Sequence, residues 1–220
     1  MRKQLLPIVS VTLVLAAPSL AQTVCYRLGD DSAYQEGCLA CGDPCAVPLS
    51  PEYPLRGRFA LTLQSLSQFG TIYHVTDVHF EVFAPPPADP PSRVFTGSGT
   101  YSKNRPRFGD PNHVLSLDLS VDGAPARTFV NLPAADPNEF PAINLEIADN
   151  GFVCQNIILD IRAVPACPCE RTCDDVTDVF DLLAYLNLWF AQDPAADLDE
   201  DPAITVFDLL VYLDCWFGGC

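Results

Sequence analysis

Four aspartates near the carboxyl end of the chain have the spacing of a calcium-binding loop. Asp197, Asp199 and Asp201 alternate along the chain, and Asp208 follows seven residues later. Calcium is a hard cation that takes roughly six to eight oxygen ligands, and a loop that turns around the ion can supply them from positions 1, 3, 5, 7, 9 and 12. With Asp197 at position 1, the predicted ligands are the side chains of Asp197, Asp199, Asp201, Thr205 and Asp208 and the carbonyl of Ala203.

A second, weaker set of ligands lies 27 residues earlier in the chain. In this earlier loop, Glu170 is long for position 1 and Thr172 is a neutral ligand. The later loop departs from the usual pattern at Pro202, where Gly is common, and at Asp208, where Glu is common. The later loop is therefore the better predicted site. The same frame in the earlier loop gives Glu170, Thr172, Asp174, the carbonyl of Val176, Asp178 and Asp181.

Each predicted loop runs into a segment with the apolar spacing of a helix. Residues 178–190 and 205–217 are identical at nine of 13 positions, so the sequence predicts two copies of one structural unit. Apolar side chains recur at the i, i+3, i+4, i+7 spacing of an amphipathic helix, and two such stripes can bury each other. The stripes comprise Val179, Leu182, Leu183, Leu186 and Phe190, and then Val206, Leu209, Leu210, Leu213 and Phe217.

An acidic surface turn between two helices is the alternative interpretation, because runs of charge are usually solvated. From residue 167 onward the chain has twelve acidic residues and one basic residue, Arg171. The coincidence of ligand spacing, repeat and helix phase favours calcium.

Two loop–helix units with Asp at position 12 resemble a type I dockerin. The motif Val-Phe-Asp-Leu-Leu-x-Tyr-Leu-x-x-Trp-Phe, with a terminal Gly-Gly-Cys, is similar to the GC-type dockerin tails of secreted planctomycete proteins. The resemblance covers roughly residues 167–220. It implies calcium-dependent folding, an EF-hand-like duplicated module, and attachment to a cohesin-like or other extracellular anchoring protein.

In cellulosomal dockerins, the cohesin is contacted largely through loop positions 10 and 11, which are often Ser-Thr. Here these positions are Val179-Phe180 and Val206-Phe207, which disfavours a cellulosomal cohesin. We expect the two valines to pack in the core, as part of each helix stripe. Phe180 and Phe207 lie off the centre of the stripes and are the expected partner contacts.

The beginning of the chain predicts export. Residues 1–21 have a basic start, a short apolar stretch and small residues before a cleavage site, as in a secretory signal peptide. No other segment is apolar enough to span a membrane. The remaining chain has ten basic and 28 acidic residues, a net charge of −18, which disfavours nucleic acid as a partner. We therefore expect a secreted, extracellular or cell-surface protein.

The central part of the chain predicts an all-β antiparallel sandwich or barrel. Short alternating runs are separated by turn residues, most clearly at 114–121 and 142–148. The predicted organisation is a signal peptide at 1–21, a loop-like, cysteine-rich segment at 22–54, a β-domain at 55–165 and a small α-helical module at 166–220. A proline-rich surface loop is predicted at 84–91.

The ten cysteines predict structural disulfides, because thiols oxidise outside the cytosol. Five cysteines precede residue 165 and five follow it. If all of them pair within the chain, at least one bridge must join the two parts. Otherwise each part has a free or intermolecular thiol, for which Cys220 is the natural candidate.

No catalytic constellation is apparent, and we expect a non-catalytic surface or matrix protein. A nucleophile with an adjacent histidine is missing, and strand acids such as Asp77, Glu81, Asp118 and Glu146 are expected to be solvated. Two alternatives remain: a carbohydrate- or protein-binding β-domain, or a small polysaccharide hydrolase with paired acids in a deep pocket. The binding alternative predicts an exposed aromatic stripe drawn from Tyr53, Phe69, Tyr73, Tyr101 and Phe108.

Overall fold

In the computed structural model of the chain, the described residues are 23–38, 48–83, 93–104, 112–132, 134–135, 140–149, 156–174, 176–199, 201 and 203–218. The predicted signal peptide, the 84–91 loop, Phe108, Pro202 and Cys220 lie outside these ranges.

Among the described residues, ten strands precede two helices. All strand pairings are antiparallel, so the predicted antiparallel fold followed by a small helical part is confirmed. The strands are β1 (Thr23–Leu28), β2 (Ala33–Gly37), β3 (Tyr53–Ser67), β4 (Gly70–Val82), β5 (Val94–Asn104), β6 (Asn112–Val121), β7 (Arg127–Val130), β8 (Ala134–Ala135), β9 (Ile143–Asp149) and β10 (Asn156–Pro165).

The strand pairings close into a ring. From β3, each strand pairs with the next through β4, β5, β6, β7, β9 and β10, and β1 then joins β10 back to β3. Beyond β1, the short strand β2 also bridges β10 and β3. Eight strands enclose an interior that side chains alone can fill, and one apolar cluster occupies it here.

Strict alternation explains the best-predicted strands. In β6, Leu115, Leu117 and Leu119 are buried, while the residues between them point outward. The same period of two buries Ile143 and Ile147 in β9. These strands are amphipathic across the wall of the ring, with the apolar side inward.

The loop-like interpretation of the segment before residue 50 is wrong in part, because the ring strand β1 and the short strand β2 lie there. In β1, Tyr26 and Leu28 are buried, as is Tyr34 in β2. Polar neighbours and flanking cysteines obscured strands of only six and five residues. Cys38, after β2, is disulfide-bonded.

The helical part consists of α1 (Val179–Phe190) and α2 (Val206–Gly218), with one turn of 3-10 helix at Pro194–Ala196 between them. The expected apolar stripes are wrong in part, because Leu182, Leu209 and Leu213 pack against the buried cluster but other members are exposed. Val179 and Val206 are 52% and 54% exposed, although we expected them in the core. Asp181, Tyr185, Asp208 and Tyr212 are the buried residues of the two helices.

A disulfide joins the helical part to the ring. Cys25 in β1 pairs with Cys173, across 148 residues; this is the kind of bridge that the five-and-five distribution predicts for a fully paired chain. Cys169 pairs with Cys215, and Cys167 Sγ lies 2.8 and 3.1 Å from their two sulfur atoms. Within the described ranges, no helix has the length and apolar character needed to cross a membrane.

Candidate metal centre

The later predicted loop brings three carboxylates together. One oxygen each of Asp197, Asp199 and Asp208 lies within 4.8 Å of the others. Asp208 is fully buried in the first turn of α2, and the other two approach it from the loop. These residues occupy positions 1, 3 and 12 of the predicted calcium loop.

The Asp208 carboxylate organises the loop around itself. Its Oδ1 accepts hydrogen bonds from the backbone N–H groups of Leu198 (2.8 Å) and Asp199 (3.3 Å), and its Oδ2 accepts one from Thr205 (2.7 Å). Backbone donation, chiefly from Thr205, lowers the pKa of Asp208. The side chain therefore stays ionised while it closes the loop onto the helix.

Between the ends of the loop, local hydrogen bonds from backbone N–H groups to side-chain oxygens stabilise its turns. Asp199 Oδ1 accepts the N–H of Asp201 at 3.2 Å, and Asp201 Oδ1 accepts the N–H of Ala203 at 2.9 Å. Thr205 Oγ1 accepts the N–H of Phe207 at 3.1 Å and so caps α2. Asp201 is exposed and does not belong to the group of three carboxylates.

Two observations fit a cation at this cluster. Asp197 Oδ1 is buried and has no hydrogen-bond partner among the described residues. Desolvation, followed by the charges of Asp201, Asp208 and Asp197, raises the pKa of Asp199. A hard divalent cation would supply the missing partner and relieve the repulsion between the carboxylates.

The earlier loop has the same hydrogen bonds but a different interior. Asp181 Oδ1 accepts the N–H groups of Arg171 (2.6 Å) and Thr172 (2.8 Å), and its Oδ2 accepts that of Asp178 (2.9 Å). Burial raises the pKa of Asp181, but these bonds lower it more, so it lies below the ordinary value.

The remaining predicted ligands of the earlier loop also accept hydrogen bonds from the backbone. Glu170 is buried beside the Cys25–Cys173 disulfide, and its Oε1 accepts the N–H of Asp174 at 3.0 Å. Asp178 caps α1 through the N–H of Phe180 at 2.7 Å. Asp174 Oδ1 accepts the N–H of Val176 at 2.9 Å. No group of three carboxylates forms among the described residues of this loop.

Arg171 is a residue of this region that the ligand pattern did not single out. It follows Glu170 in the earlier loop, and its guanidinium lies 5.6 Å from the ring centre of Tyr185. Burial lowers its pKa, while the charge of Asp181 opposes that change. The earlier loop therefore holds a cationic side chain beside its position 12 carboxylate. In the sequence, its one distinguishing feature is that it is the single basic residue of an acidic segment.

The two loop–helix units contact each other reciprocally. Trp189 Nε1 donates to the Thr205 carbonyl at 2.6 Å, and Trp216 Nε1 donates to the Asp178 carbonyl at 3.1 Å. The rings of Tyr185 and Tyr212 are stacked with their centres 4.1 Å apart.

The two tyrosine hydroxyls extend the same reciprocity. They donate to the carbonyls of Ala196 and Cys169, each at 3.1 Å. All of these equivalent residues are 27 positions apart. Burial raises the pKa of both tyrosines to about 12, so both remain protonated donors at neutral pH.

Both expected contact residues are on the surface. Phe180 and Phe207 are 63% and 62% exposed. Further apolar side chains in equivalent positions of the two helices are exposed as well: Val179, Leu183 and Phe190, and Val206, Leu210 and Phe217.

The expected aromatic stripe of the β-domain does not form from the described candidates. Tyr101 is fully buried, and Tyr53 and Tyr73 pack against the core. Phe69 is exposed.

No protein-family model, no curated protein and no solved structure matches this chain.

Proposed function

We propose that the chain is a secreted, non-catalytic protein whose helical part is a dockerin-like module that binds calcium at residues 197–208 and attaches the β-domain to an extracellular partner. The observation that carries the metal assignment is the cluster of Asp197, Asp199 and Asp208 with its orphaned carboxylate oxygen. Paired cysteines are compatible with an extracellular location.

The residues of the chain couple the ion to the fold. Asp208 belongs at once to the ligand cluster, to the first turn of α2 and to the hydrogen bonds that close the loop. Calcium would contribute the charge that holds three carboxylates together. A loop held in this way fixes the carbonyl of Thr205, which accepts the Trp189 N–H of the other unit.

We propose one calcium ion per chain. The earlier loop is tied covalently to β1 at Cys173, and Arg171 already offers a positive charge near Asp181. A disulfide and an arginine thus take the structural role that an ion plays in the later loop.

The test is calcium titration of the calcium-free, purified protein, followed by calorimetry and thermal unfolding. We expect one bound calcium and a rise in melting temperature, because a ligand that binds only the folded state stabilises it. Magnesium is the control, since it demands stricter octahedral geometry and holds its waters more tightly.

The matched variants are Asp208→Asn and Asp181→Asn, which remove the same charge from equivalent positions. Asp208→Asn should weaken calcium binding by at least about 10-fold to 100-fold, whereas Asp181→Asn should leave the calcium affinity within about threefold. Equal losses in both variants, or no heat of binding at millimolar calcium, would contradict the assignment.

We propose that the partner contacts Phe180 and Phe207. Each lies at loop position 11 and is largely exposed, and a cohesin-like or other extracellular anchoring protein is the expected class of partner. Apolar anchors of this kind carry much of the free energy of association.

Phe180→Ser/Phe207→Ser should abolish calcium-dependent capture of secreted proteins while leaving the melting temperature nearly unchanged. Phe69→Ser, which alters an equally exposed ring on the β-domain, is the control. Capture that survives the double substitution would mean that these rings are not the docking residues.

A further inference from the structure

A groove on the outer face of the β-domain collects positive charge in an otherwise acidic protein. Two depressions, of 280 and 200 Å³, share Arg56 and Gly57 in their linings. Arg27 and the start of the helical part line one of them, and Arg58, His79, Glu81 and Phe83 line the other. Only ten basic residues follow residue 21, and three of them lie here.

Strand register places these groups side by side. Arg58 in β3 is opposite Arg27 in β1 on one side and opposite His79 in β4 on the other. All three point outward, because their strand neighbours Tyr26, Phe59 and Phe80 are buried. Arg56 lies on the same face of β3, two residues before Arg58.

Arg27 and Arg58 occupy opposed strand positions, so their like charges add to a local positive potential on this face. Among the described residues, neither Arg27 nor Arg56 has an ion-pair partner. Glu81, which borders the groove, contacts His79 at 3.1 Å. Asp30 and the buried Glu170 also line the depression that Arg27 and Arg56 share, so anions are favoured on the arginine side of that depression.

An aromatic platform lies beside the charges. Phe83 is 45% exposed, and the Arg56 guanidinium lies 5.4 Å from its ring centre. An exposed ring can stack on the apolar face of a sugar, while a neighbouring guanidinium binds a carboxylate or sulfate with paired N–H donors.

The geometry of the sheet favours one class of ligand over others. Strand β3 is paired on both sides, with β1 and β2 on one and β4 on the other, so an added peptide strand finds no free backbone edge. Duplex DNA carries a charge about every 1.7 Å, which is much closer than the spacing of the basic groups on this face. The charged row instead repeats at the strand spacing of about 4.8 Å, which suits a chain with roughly one anion per monomer.

We propose that this groove binds a linear polysaccharide bearing carboxylate or sulfate groups, with Arg27 and Arg56 contacting the anions and Phe83 stacking on a sugar ring. These three contact residues all belong to the β-domain, and none of them is a residue of the proposed calcium loop.

The experiment is affinity electrophoresis and calorimetry of the purified protein with polygalacturonate, dextran sulfate and neutral dextran. All three are tested in chelator, so that calcium cannot bridge the acidic protein to the polymer. We expect retardation by at least one charged polymer, weakening with added salt, and none by dextran. Comparing polygalacturonate with dextran sulfate distinguishes carboxylate from sulfate.

Arg27→Gln/Arg56→Gln and Phe83→Ala should each lower the affinity at least about tenfold. Lys103→Gln/Arg162→Gln is the charge-matched control and should lower it less than about threefold. An equal loss in both double variants, equal binding of polyglutamate, or no binding to either charged polymer would overturn the proposal. Because chelator is present throughout, failure here leaves the calcium assignment untouched.

Discussion

At the scale of single residues, two equivalent aspartates of the helical part make the same hydrogen bonds in different surroundings. Asp181 and Asp208 occupy equivalent positions, are both fully buried, and each accepts backbone N–H groups from positions 2, 3 and 9 of its loop. Their surroundings differ, since Asp208 faces two more carboxylates and Asp181 lies near Arg171. The hydrogen-bonding role is therefore shared, while among the described residues only Asp208 belongs to a group of three carboxylates.

Asp122 makes a residue-scale prediction about pH. Its Oδ1 accepts the N–H of Val94 and its Oδ2 contacts Arg93, both at 2.9 Å, and these bonds, chiefly the first, lower its pKa. A lowered pKa stabilises the fold above the ordinary aspartate range, and that stabilisation is lost as the pH falls through the folded-state value. Asp122→Asn should cost about 0.2–1 kcal/mol at about pH 7 and almost nothing at about pH 2, as measured by urea unfolding.

Asparagine is a suitable replacement because Asp122 has a φ of 53°, which asparagine tolerates. In an Arg93→Gln background the effect of Asp122→Asn should shrink, because the charge partner is already gone. A cost that is unchanged between neutral and acid pH would show that the charge of Asp122 does not contribute.

At the scale of elements, the two helices were predictable but the side that each one buries was not. Counting apolar residues assigned Val179 and Val206 to the core, yet both are more than half exposed. The buried faces are centred instead on an aspartate and a tyrosine, which a hydrophobic pattern scores as polar. These polar side chains can be buried because they hydrogen-bond to backbone groups of the loops. Those groups come into place only when the two units pack together.

The reciprocal indole contacts predict equal contributions from the two units. Trp189→Phe and Trp216→Phe each remove one hydrogen bond to a loop carbonyl, and each should lower the free energy of unfolding by about 0.5–1.5 kcal/mol. Urea unfolding followed by the helical circular dichroism signal measures both losses. Phe190→Leu, at a site that is 73% exposed, should cost less than about 0.5 kcal/mol. A clearly unequal pair of losses would argue against symmetric packing.

At the scale of the whole molecule, alternation revealed the strands but could not reveal how they close. Residues such as Leu117 and Leu145 showed their inward face in the sequence, because their neighbours are polar. The closing strand β1 is short, and its pairing with β10 joins residues that are more than 130 positions apart in the chain. The groove of Arg27, Arg58 and His79 was equally hidden, since only strand register brings these residues together.

The Cys25–Cys173 disulfide predicts that the ring and the helical part unfold together. It closes a segment of 148 residues, and the loss of such a bridge costs about 2–5 kcal/mol. Both tryptophans of the chain, Trp189 and Trp216, lie in the helical part, so tryptophan fluorescence reports that part alone while the strand signal in circular dichroism reports the ring. In the intact protein, held in calcium, the two thermal transitions should coincide. In Cys25→Ser/Cys173→Ser the fluorescence transition should separate and move to lower temperature, because the β1 strand no longer holds the earlier loop.

Cys169→Ser/Cys215→Ser separates this coupling from a general loss of cross-links. That bridge lies wholly within the helical part, so its removal should destabilise the helices without acting on β1. In calcium, the midpoint temperature of the fluorescence transition should therefore lie closer to that of the strand transition than it does in the Cys25→Ser/Cys173→Ser variant. Coincident transitions in the Cys25→Ser/Cys173→Ser variant would mean that packing at the junction, and not the disulfide, unites the two parts. Separate transitions in the intact protein would mean that neither the disulfide nor packing at the junction makes the two parts unfold together.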